Sequence, residues 1–326
     1  MSARILYFCP DFPQPSGGVK ALYRHVSLLA GAGFDAAIVH QKRDFVARWH
    51  GYTVPVIRLE DRPRFGPEDT LVFPEVMADF VRQTGQFGGR RVVIALSWAL
   101  SYSRLRPGER WADLGVDAIL ARSPAVQHFL AWSQEADVTL IPPFIDPARY
   151  YPQAKANQIA YMTRKDPAGP WLQAVLTRRN TGAGHSWLTL RNMDEATYAQ
   201  HLRRSAVYLP VTLQEGLHAS VLEAMACGCL TVGYSGIGGS DFMIGDGPEQ
   251  NCVLVENGDL LALGRTLEEV LARRAADPQA YAAVMANGQK TVQPYQDPAL
   301  EKEALIKFFR FSDELWGKRA GTDGSG

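Results

Sequence analysis

Residues 213–234, which read LQEGLHASVLEAMACGCLTVGY, decide the fold and carry the strongest functional signal in the chain. Two glutamates, Glu215 and Glu223, flank Gly216 and the start of an apolar helical pattern. Ser220 and Glu223 have the Ser-x-x-Glu spacing of a capping box, which predicts a helix that begins near Ser220. A short apolar run follows this helix and is typical of a buried strand.

The start of the predicted helix combines backbone amides with two flanking carboxylates. The amide groups of Gly216, Leu217, His218 and Ala219 are expected to be unpaired at the positive end of the helix dipole, where a phosphate binds. An ionised carboxylate only accepts hydrogen bonds, so the two flanking glutamates suit hydroxyl groups. Phosphate flanked by hydroxyls describes a nucleotide sugar.

The segment resembles the E-x7-E signature of retaining GT-B glycosyltransferases of family 4. The matching positions are Glu215, Gly216, Leu222, Glu223, Ala224, Met225, Ala226, Gly228 and the strand at 230–233. The family usually has Gly-Phe-Gly after the first glutamate, where this chain has Gly216, Leu217 and His218. The resemblance implies two Rossmann-like domains with parallel sheets facing a central cleft. It also implies transfer of a sugar from a nucleotide-diphosphate donor to an acceptor hydroxyl, with retention of anomeric configuration.

Length and composition support a protein of two domains, and they limit its function and location. The chain has 326 residues, of which 46% are hydrophobic, enough for two cores. Lys plus Arg and Asp plus Glu number 34 each, and this balance argues against a general nucleic-acid-binding protein. No apolar stretch reaches the length of a membrane span, and the N-terminal apolar run is too short for a signal peptide. The four cysteines are not spaced as zinc ligands or as a disulfide framework, so we expect them to be reduced and the protein to be cytoplasmic.

Short apolar runs alternate with helical patterns along the chain, which predicts an α/β fold with parallel sheets covered on both faces. Predicted strands are at 5–9, 36–40, 53–57, 70–73, 91–96, 118–120 and 138–141, and then at 159–162, 187–190, 207–210, 230–234 and 252–255. Predicted helices are at 19–32, 76–84, 124–133, 171–178, 195–205, 220–227, 259–275 and 298–316. We expect an acceptor-side domain at 1–150, a nucleotide-sugar domain at 151–296, a helix at 297–320 that crosses back to the first domain, and a disordered tail at 321–326.

Two further pairs of residues are candidates for the donor diphosphate. Gly17 and Gly18 lie in the loop after the first strand and match the Gly-Gly loop of family 4, although such a pair is often only a turn. Arg164 and Lys165 follow the first strand of the second half, where ligands of parallel sheets bind. The family carries an Arg here and a Lys about five residues later, so Arg164 fits and Lys165 is displaced. A solvated Arg-Lys pair is the alternative.

The resemblance assigns catalysis to Glu215, Arg164 and Lys165. Glu215 is expected to bind hydroxyls of the transferred sugar, and Glu223 the ribose diol, with capping of Ser220 as its alternative role. Donor binding is assigned to Gly17, Gly18, Gly216, Leu217, His218, Ala219, Ser220 and Glu223. The chain lacks the D-x-D carboxylate pair of metal-dependent glycosyltransferases, so we expect no metal and no cofactor beyond the nucleotide sugar.

The acceptor side is less well defined. Glu75, Ser97 and Trp98 follow two strands of the first half, and Ser97 stands near a position where many family members have a histidine. We expect a sugar, lipid-linked or other hydroxyl acceptor, no nucleic acid, and at most peripheral membrane contact through the basic groups of the first helix. Two other classes stay open: a GT-B nucleotide-sugar epimerase or phosphorylase, and a nucleotide-sugar-binding protein without turnover.

Substitution of Arg164 tests the assignment of the diphosphate site. A guanidinium at this position matters most when the leaving diphosphate gains charge, so Arg164→Ala should lower kcat/KM by about 10²-fold or more. Affinity for the sugar-free nucleoside should change little. Initial rates against donor concentration measure the effect, and an unchanged kcat/KM would place Arg164 on the solvated surface.

Overall fold

The computed structural model describes residues 3–85, 87–163, 167–181 and 184–316. Arg164 and Lys165 lie outside the described residues, as does the tail at 321–326. Contacts divide the chain into two compact units, Met1–Pro143 with Pro298–Gly326, and Phe144–Asp297. The divisions therefore fall after Pro143 and before Pro298, where the sequence suggested residues 150 and 297.

The first unit is built on a parallel seven-stranded sheet in the order β3-β2-β1-β4-β5-β6-β7. In chain order its elements are β1 (Arg4–Phe8), α1 (Gly17–Gly31), β2 (Asp35–His40), β3 (Val56–Arg58), β4 (Thr70–Pro74), α2 (Ala78–Gln83), β5 (Arg90–Ala95), α3 (Trp98–Arg104), β6 (Ala118–Ala121), α4 (Pro124–Gln134) and β7 (Val138–Leu140). Alternate residues of a strand face opposite sides of a sheet. Accordingly Tyr7 packs in one buried cluster, and its neighbours Leu6 and Phe8 pack in another.

The second unit has a parallel five-stranded sheet in the order β12-β11-β10-β8-β9. Its elements are β8 (Ala156–Tyr161), α5 (Ala168–Arg178), β9 (Ser186–Thr189), α6 (Glu195–Arg204), β10 (Ser205–Leu209), α7 (Ala219–Ala226), β11 (Leu230–Gly233), β12 (Val253–Leu254), α8 (Leu260–Ala276) and α9 (Ala282–Val292). The last helix, α10 (Pro298–Trp316), belongs to the first unit. Two buried clusters also form in the second unit.

The predicted strands are present, with some ends displaced by a few residues. The strand expected at 53–57, for example, is Val56–Arg58. The sequence did not predict α3, which is too short for a clear 3.6-residue period, or α9, which contains Gly288. A single helix was expected at 76–84, but a 3-10 turn at Glu75–Met77 precedes α2.

Chain order reverses at one pair of neighbouring strands in each sheet. In the first unit these strands are β1 and β4, and in the second they are β8 and β10. Ligands of open parallel sheets bind at the carboxyl ends of strands beside such a reversal. The strand order alone therefore predicts where each unit could bind a ligand: at the carboxyl ends of β1 and β4, and at those of β8 and β10.

A buried ionic cluster joins α10 to the rest of the first unit. The Glu301 side chain is 0% exposed, pairs with Arg24 of α1, and lies 3.3 Å from Arg122 Nη2. His25 Nε2 lies 3.5 Å from the same carboxylate, and His25 Nδ1 faces the hydroxyl of Tyr7 at 3.4 Å. Burial opposes ionisation of Glu301, but the His25 hydrogen bond and the two guanidiniums outweigh it and lower the pKa of the carboxyl to about 2. Burial lowers the pKa of His25, which is therefore neutral near pH 7.

Among the described residues, no helix combines the length and the apolarity that crossing a membrane requires.

Removal of the Glu301 charge should destabilise the first unit. Glu301→Gln leaves two mostly buried guanidiniums, 13% and 14% exposed, without their carboxylate, so we expect a loss of about 3–5 kcal/mol in the free energy of unfolding. The exposed Glu303 on the same helix provides the control, because Glu303→Gln should change this free energy by less than about 0.5 kcal/mol. Chemical denaturation measures both variants.

The same carboxyl predicts a pH dependence. The pKa of Glu301 is depressed from 4.5 to about 2 in the folded protein, so its stabilisation is present above pH 4.5 and is lost as pH falls toward 2. Glu301→Gln should flatten the stability profile in that window. Equal stabilities of Glu301→Gln and Glu303→Gln would show that the cluster contributes nothing.

Candidate functional site

A small pocket lies at the carboxyl ends of β8 and β10 in the second unit. Met162, directly after β8, and Tyr208 of β10 line it. Glu215, in the loop after β10, and Ser220, in the first turn of α7, also line the pocket. The pocket therefore lies at the reversal of strand order, and it brings together two of the residues that the sequence assigned to the site.

The helix after this loop begins earlier than the capping box predicted. It starts at Ala219, and His218 is the N-cap residue with φ −75° and ψ 60°. These angles are those of an inverse γ-turn, in which the Ala219 amide donates to the Leu217 carbonyl at 2.8 Å. The predicted capping box is wrong because His218, and not Ser220, is the N-cap residue, and the Glu223 carboxylate accepts from the Tyr198 hydroxyl instead.

A glycine-rich loop at 236–239 packs against the loop that contains Glu215, and the two loops touch through their main-chain atoms. A Cβ atom on Gly238 would lie 2.5 Å from the carbonyl oxygen of Glu215 and 2.9 Å from the carbonyl carbon of Gly216. The Gly238 carbonyl accepts a hydrogen bond of 3.1 Å from the His218 amide. Glycine is required here because no side chain fits between the two backbones.

This packing changes which amides are available to an anion. The sequence predicted unpaired amides from Gly216 to Ala219, but those of His218 and Ala219 are bonded to protein carbonyls. Within the described part of the chain, the amides of Leu217 and Ser220 have no hydrogen-bond acceptor. These two N–H groups are therefore the ones that the start of α7 offers.

The imidazole of His218 lies inside the loop. It is 1% exposed, and its Nε2 donates to the Thr212 carbonyl at 3.0 Å. The side chain thus ties the exit of β10 to the start of α7. The sequence assigned His218 either to contact with the donor or to a local hydrogen bond, and the imidazole makes such a local hydrogen bond.

Glu223, four residues into α7, is held by two tyrosines that the sequence did not identify. The Tyr198 hydroxyl donates to Glu223 Oε2 at 2.9 Å, and the Tyr150 hydroxyl also bonds to this carboxylate. Burial raises the pKa of both phenols, and the charge of Glu223 raises it further, so both stay protonated as donors. No local pattern reveals these partners, because they come from α6 and from the segment before β8.

In the first unit, Gly17 and Gly18 form the first turn of α1 and not the loop that the sequence predicted. A Cβ on Gly17 would meet no atom within 4 Å, whereas a Cβ on Gly18 would lie 2.9 Å from Leu96 Cδ1. Gly18 therefore permits close packing of α1 on the segment after β5. Gly17 presents open backbone at the positive end of a helix of 15 residues.

The loop before α1 is anchored by a carboxylate that the sequence analysis missed. Asp11 accepts hydrogen bonds from the amides of Lys42 at 2.8 Å and Gln41 at 3.2 Å, and from His40 Nδ1 at 2.9 Å. Burial lowers the pKa of His40 despite this carboxylate, and the neutral ring accepts from the Tyr23 hydroxyl at 2.7 Å. The network fixes the exit of β1 against the exit of β2.

The three acceptor-side candidates also lie at the carboxyl ends of neighbouring strands. Glu75 follows β4 and Ser97 follows β5, and both side chains are buried. Ser97 is the N-cap residue of α3, and its carbonyl accepts from the Ser101 hydroxyl at 3.1 Å. Trp98 is half-buried and packs edge-on against Phe129, with ring centroids 5.6 Å apart. The strand order therefore places Glu75, Ser97 and the start of α1 along one edge of the first sheet.

Within the described ranges, no group of three or more histidine, cysteine, aspartate or glutamate side chains is arranged to hold a metal ion.

The sequence of this chain is similar to those of glycosyltransferases. The model of the family described as glycosyl transferases group 1 matches residues 164–273, which contain both Glu215 and Glu223. A curated relative, an alpha-1,6-glucosyltransferase of Actinobacillus pleuropneumoniae serotype 7 (strain AP76), is 24% identical over 247 residues. That alignment covers 71% of this chain and 72% of the relative.

Comparison of structures finds the same architecture. Sucrose-phosphate synthase from Thermosynechococcus elongatus aligns with a TM-score of 0.69 and 15% identity, over 96% of this chain and 99% of the other. The Anabaena protein Alr3699/HepE in complex with UDP-glucose aligns with a TM-score of 0.70 and 14% identity, over 94% and 99%. At these identities the likeness establishes the fold, and the predicted GT-B fold is confirmed.

Substitution of Gly238 tests the backbone contact that shapes the site. In Gly238→Ala the new methyl group meets main-chain atoms that cannot rotate away, so we expect a destabilisation of about 1–3 kcal/mol. Gly31→Ala is the control, because a Cβ there meets no atom within 4 Å. Thermal unfolding of the two variants measures the difference, and similar Tm values for both would contradict the close contact.

Proposed function

We propose that this chain, a glycosyltransferase of GT-B type, moves a sugar from a nucleotide-diphosphate donor to an acceptor hydroxyl with retention and without a metal ion. The observation that carries the proposal is the pocket at the reversal of strand order in the second unit, with Glu215 and Ser220 in its lining. The Anabaena protein was solved with UDP-glucose, which makes UDP-glucose the first donor to test. The cysteines in the described residues are free and buried, as expected for action in the cytoplasm.

The donor's diphosphate is assigned to the start of α7. The amides of Leu217 and Ser220 are available there, and the helix dipole favours an anion. Arg164 and Lys165 are proposed to add positive charge, since they come shortly after β8 in the chain. Fixed amides and cationic side chains stabilise the charge that develops on a leaving diphosphate. The site would therefore work without a metal ion.

The two glutamates are assigned to hydroxyl groups of the donor. Glu215 lines the pocket and is proposed to hold hydroxyls of the transferred sugar so that its anomeric carbon is placed for reaction. Glu223 is proposed to hold the ribose diol. A carboxylate offers about four acceptor positions. The hydroxyls of Tyr150 and Tyr198 donate to two of them. The tyrosines fix the carboxylate before the donor arrives.

Retention is proposed to follow from attack on the same face that the diphosphate leaves. The acceptor hydroxyl loses its proton to an oxygen of the departing phosphate as the new bond to the anomeric carbon forms. Glu75, Ser97 and Trp98 are the proposed acceptor-side groups of the first unit. Gly17 and Gly18, at the start of α1, are proposed to contact the donor diphosphate. No cofactor takes part in this scheme.

Donor binding provides the test of the proposal. The purified protein should bind UDP-glucose and hydrolyse it slowly, and EDTA should leave both properties unchanged. Isothermal titration and release of UDP measure them. A loss of affinity in EDTA that magnesium restores would contradict metal independence, and binding of no nucleotide sugar in a panel of UDP-, GDP-, ADP- and dTDP-sugars would overturn the proposal.

Two variants of the ribose site separate binding from folding. Glu223→Gln should weaken UDP-glucose binding by about 1–3 kcal/mol, because charge-assisted hydrogen bonds become neutral ones. Tyr198→Phe keeps the carboxylate but removes one of its donors, so it should weaken binding less and leave kcat nearly unchanged. Normal affinity in both variants, with a lowered Tm, would mean that this cluster only stabilises α7.

A further inference from the structure

The first unit contains a second cavity that the proposed reaction does not use. It has a volume of about 350 Å³ and lies at the carboxyl-terminal ends of α3 and α4. Tyr102, Arg106, Glu109, Arg110, Ser133 and Glu135 are among its lining residues. The volume falls within the range of small-molecule sites, about 300–1,000 Å³.

A row of aromatic side chains connects this cavity with the acceptor-side edge of the first sheet. Trp98, directly after Ser97, lies 5.6 Å from Phe129 between ring centroids. Phe129 in turn lies 5.7 Å from Tyr102 and 6.0 Å from Trp132. Trp132 is 76% exposed and Tyr102 is 38% exposed, so the outer end of the row presents large apolar faces to solvent. Exposed aromatic faces of this kind mark binding surfaces.

The ring of Tyr102 is held in place at the wall of the cavity. Its hydroxyl donates to Ser133 Oγ and accepts from Gln134 Nε2 at 2.7 Å. Gln134 is itself fixed, because its Oε1 accepts from the Trp111 amide at 2.9 Å. A ring fixed by hydrogen bonds loses little entropy when a ligand stacks on it.

The charges around the cavity are balanced. Arg110 pairs with Glu135 at 3.4 Å, and Glu109 accepts from the Arg106 amide at 2.9 Å. Glu109 also pairs with Arg82 beside the cavity, and Arg82 pairs in turn with Asp79 at 2.6 Å. Two guanidiniums and two carboxylates supply both donors and acceptors without a net field. This combination of aromatic faces with paired polar groups suits a neutral molecule that carries many hydroxyls.

We propose that the cavity and the aromatic row form a distal subsite for a neutral oligosaccharide acceptor. Its sugar rings stack on Trp132 and Tyr102, and its hydroxyls bond to the arginines and glutamates of the cavity. The chain of the glycan then runs along the row toward Trp98, where its terminal hydroxyl reacts. The proposal rests on the proposed function, and it deepens that function by naming the acceptor class as a glycan of several residues.

A membrane surface is the other occupant that exposed tryptophan suggests. Binding to anionic lipid needs an excess of lysine and arginine beside the apolar side chains. The balanced lining of the cavity does not supply that excess, which favours the oligosaccharide.

The test uses the full-length protein and three neutral glucose hexasaccharides, with α-1,4, α-1,6 or β-1,3 linkages. Trp132→Ala removes the exposed ring, and Trp171→Ala is the matched control, because Trp171 is 58% exposed on α5 of the other unit. Isothermal titration should show binding of at least one hexasaccharide to the wild type and to Trp171→Ala. Trp132→Ala should raise its Kd about tenfold or more, as loss of an aromatic anchor does. Hydrolysis of UDP-glucose should be equal in all three proteins.

Two results would overturn the subsite: binding of no hexasaccharide to the wild type, or equal affinity in the two variants. Vesicles of phosphatidylglycerol and phosphatidylcholine that sediment with the wild type and not with Trp132→Ala would assign the row to a membrane instead. Donor binding separates this proposal from the proposed function. A wild type that binds hexasaccharide but no nucleotide sugar would overturn the function, and one that binds UDP-glucose but no hexasaccharide would overturn the subsite alone.

Discussion

The contact between the Gly238 backbone and the Glu215 carbonyl determines the arrangement of the site in the second unit. Because the two loops touch through main-chain atoms, the His218 amide is bonded to Gly238 and the imidazole turns inward to the Thr212 carbonyl. The inverse γ-turn at His218 then sets the first residue of α7. These constraints decide which amides at the start of α7 are bonded to protein carbonyls, so a glycine outside the E-x7-E segment shapes the site within it.

The two units share one arrangement of strand ends and helix starts. In each parallel sheet the neighbouring strands at the reversal of chain order end beside the start of a helix, α1 in one unit and α7 in the other. Hydrogen-bonded side chains, buried or partly buried, hold these ends in position: Asp11 and His40 beside α1, and Tyr150 and Tyr198 behind Glu223. The ion cluster at Glu301 joins α10 to α1 by a similar use of buried charge. Rigid supports of this kind are what a preorganised site requires.

Much of the fold was predictable from the sequence, because strands and helices that bury one face have apolar residues at regular spacings. The motif identifies Glu215, Gly216 and Glu223 as candidates because they lie close together in the sequence, and their roles in binding stay predictions. The capping box was a wrong prediction because α7 begins at Ala219 with His218 as its N-cap residue, and the partner of Glu223 comes from α6, which no local pattern reveals. Glu301 reads as a surface residue of an amphipathic helix, and only its contacts with Arg24 and Arg122 show why it is buried. The roles of Arg164 and Lys165 stay predictions.

The most direct test of the central claim is a crystal structure of the protein with UDP-glucose. We predict that oxygens of the diphosphate lie within hydrogen-bonding distance, about 2.7–3.2 Å, of the Leu217 and Ser220 amides. Glucose hydroxyls should contact Glu215, and the ribose diol should contact Glu223. Density for the nucleotide away from the start of α7, or a sugar that does not touch Glu215, would contradict the account.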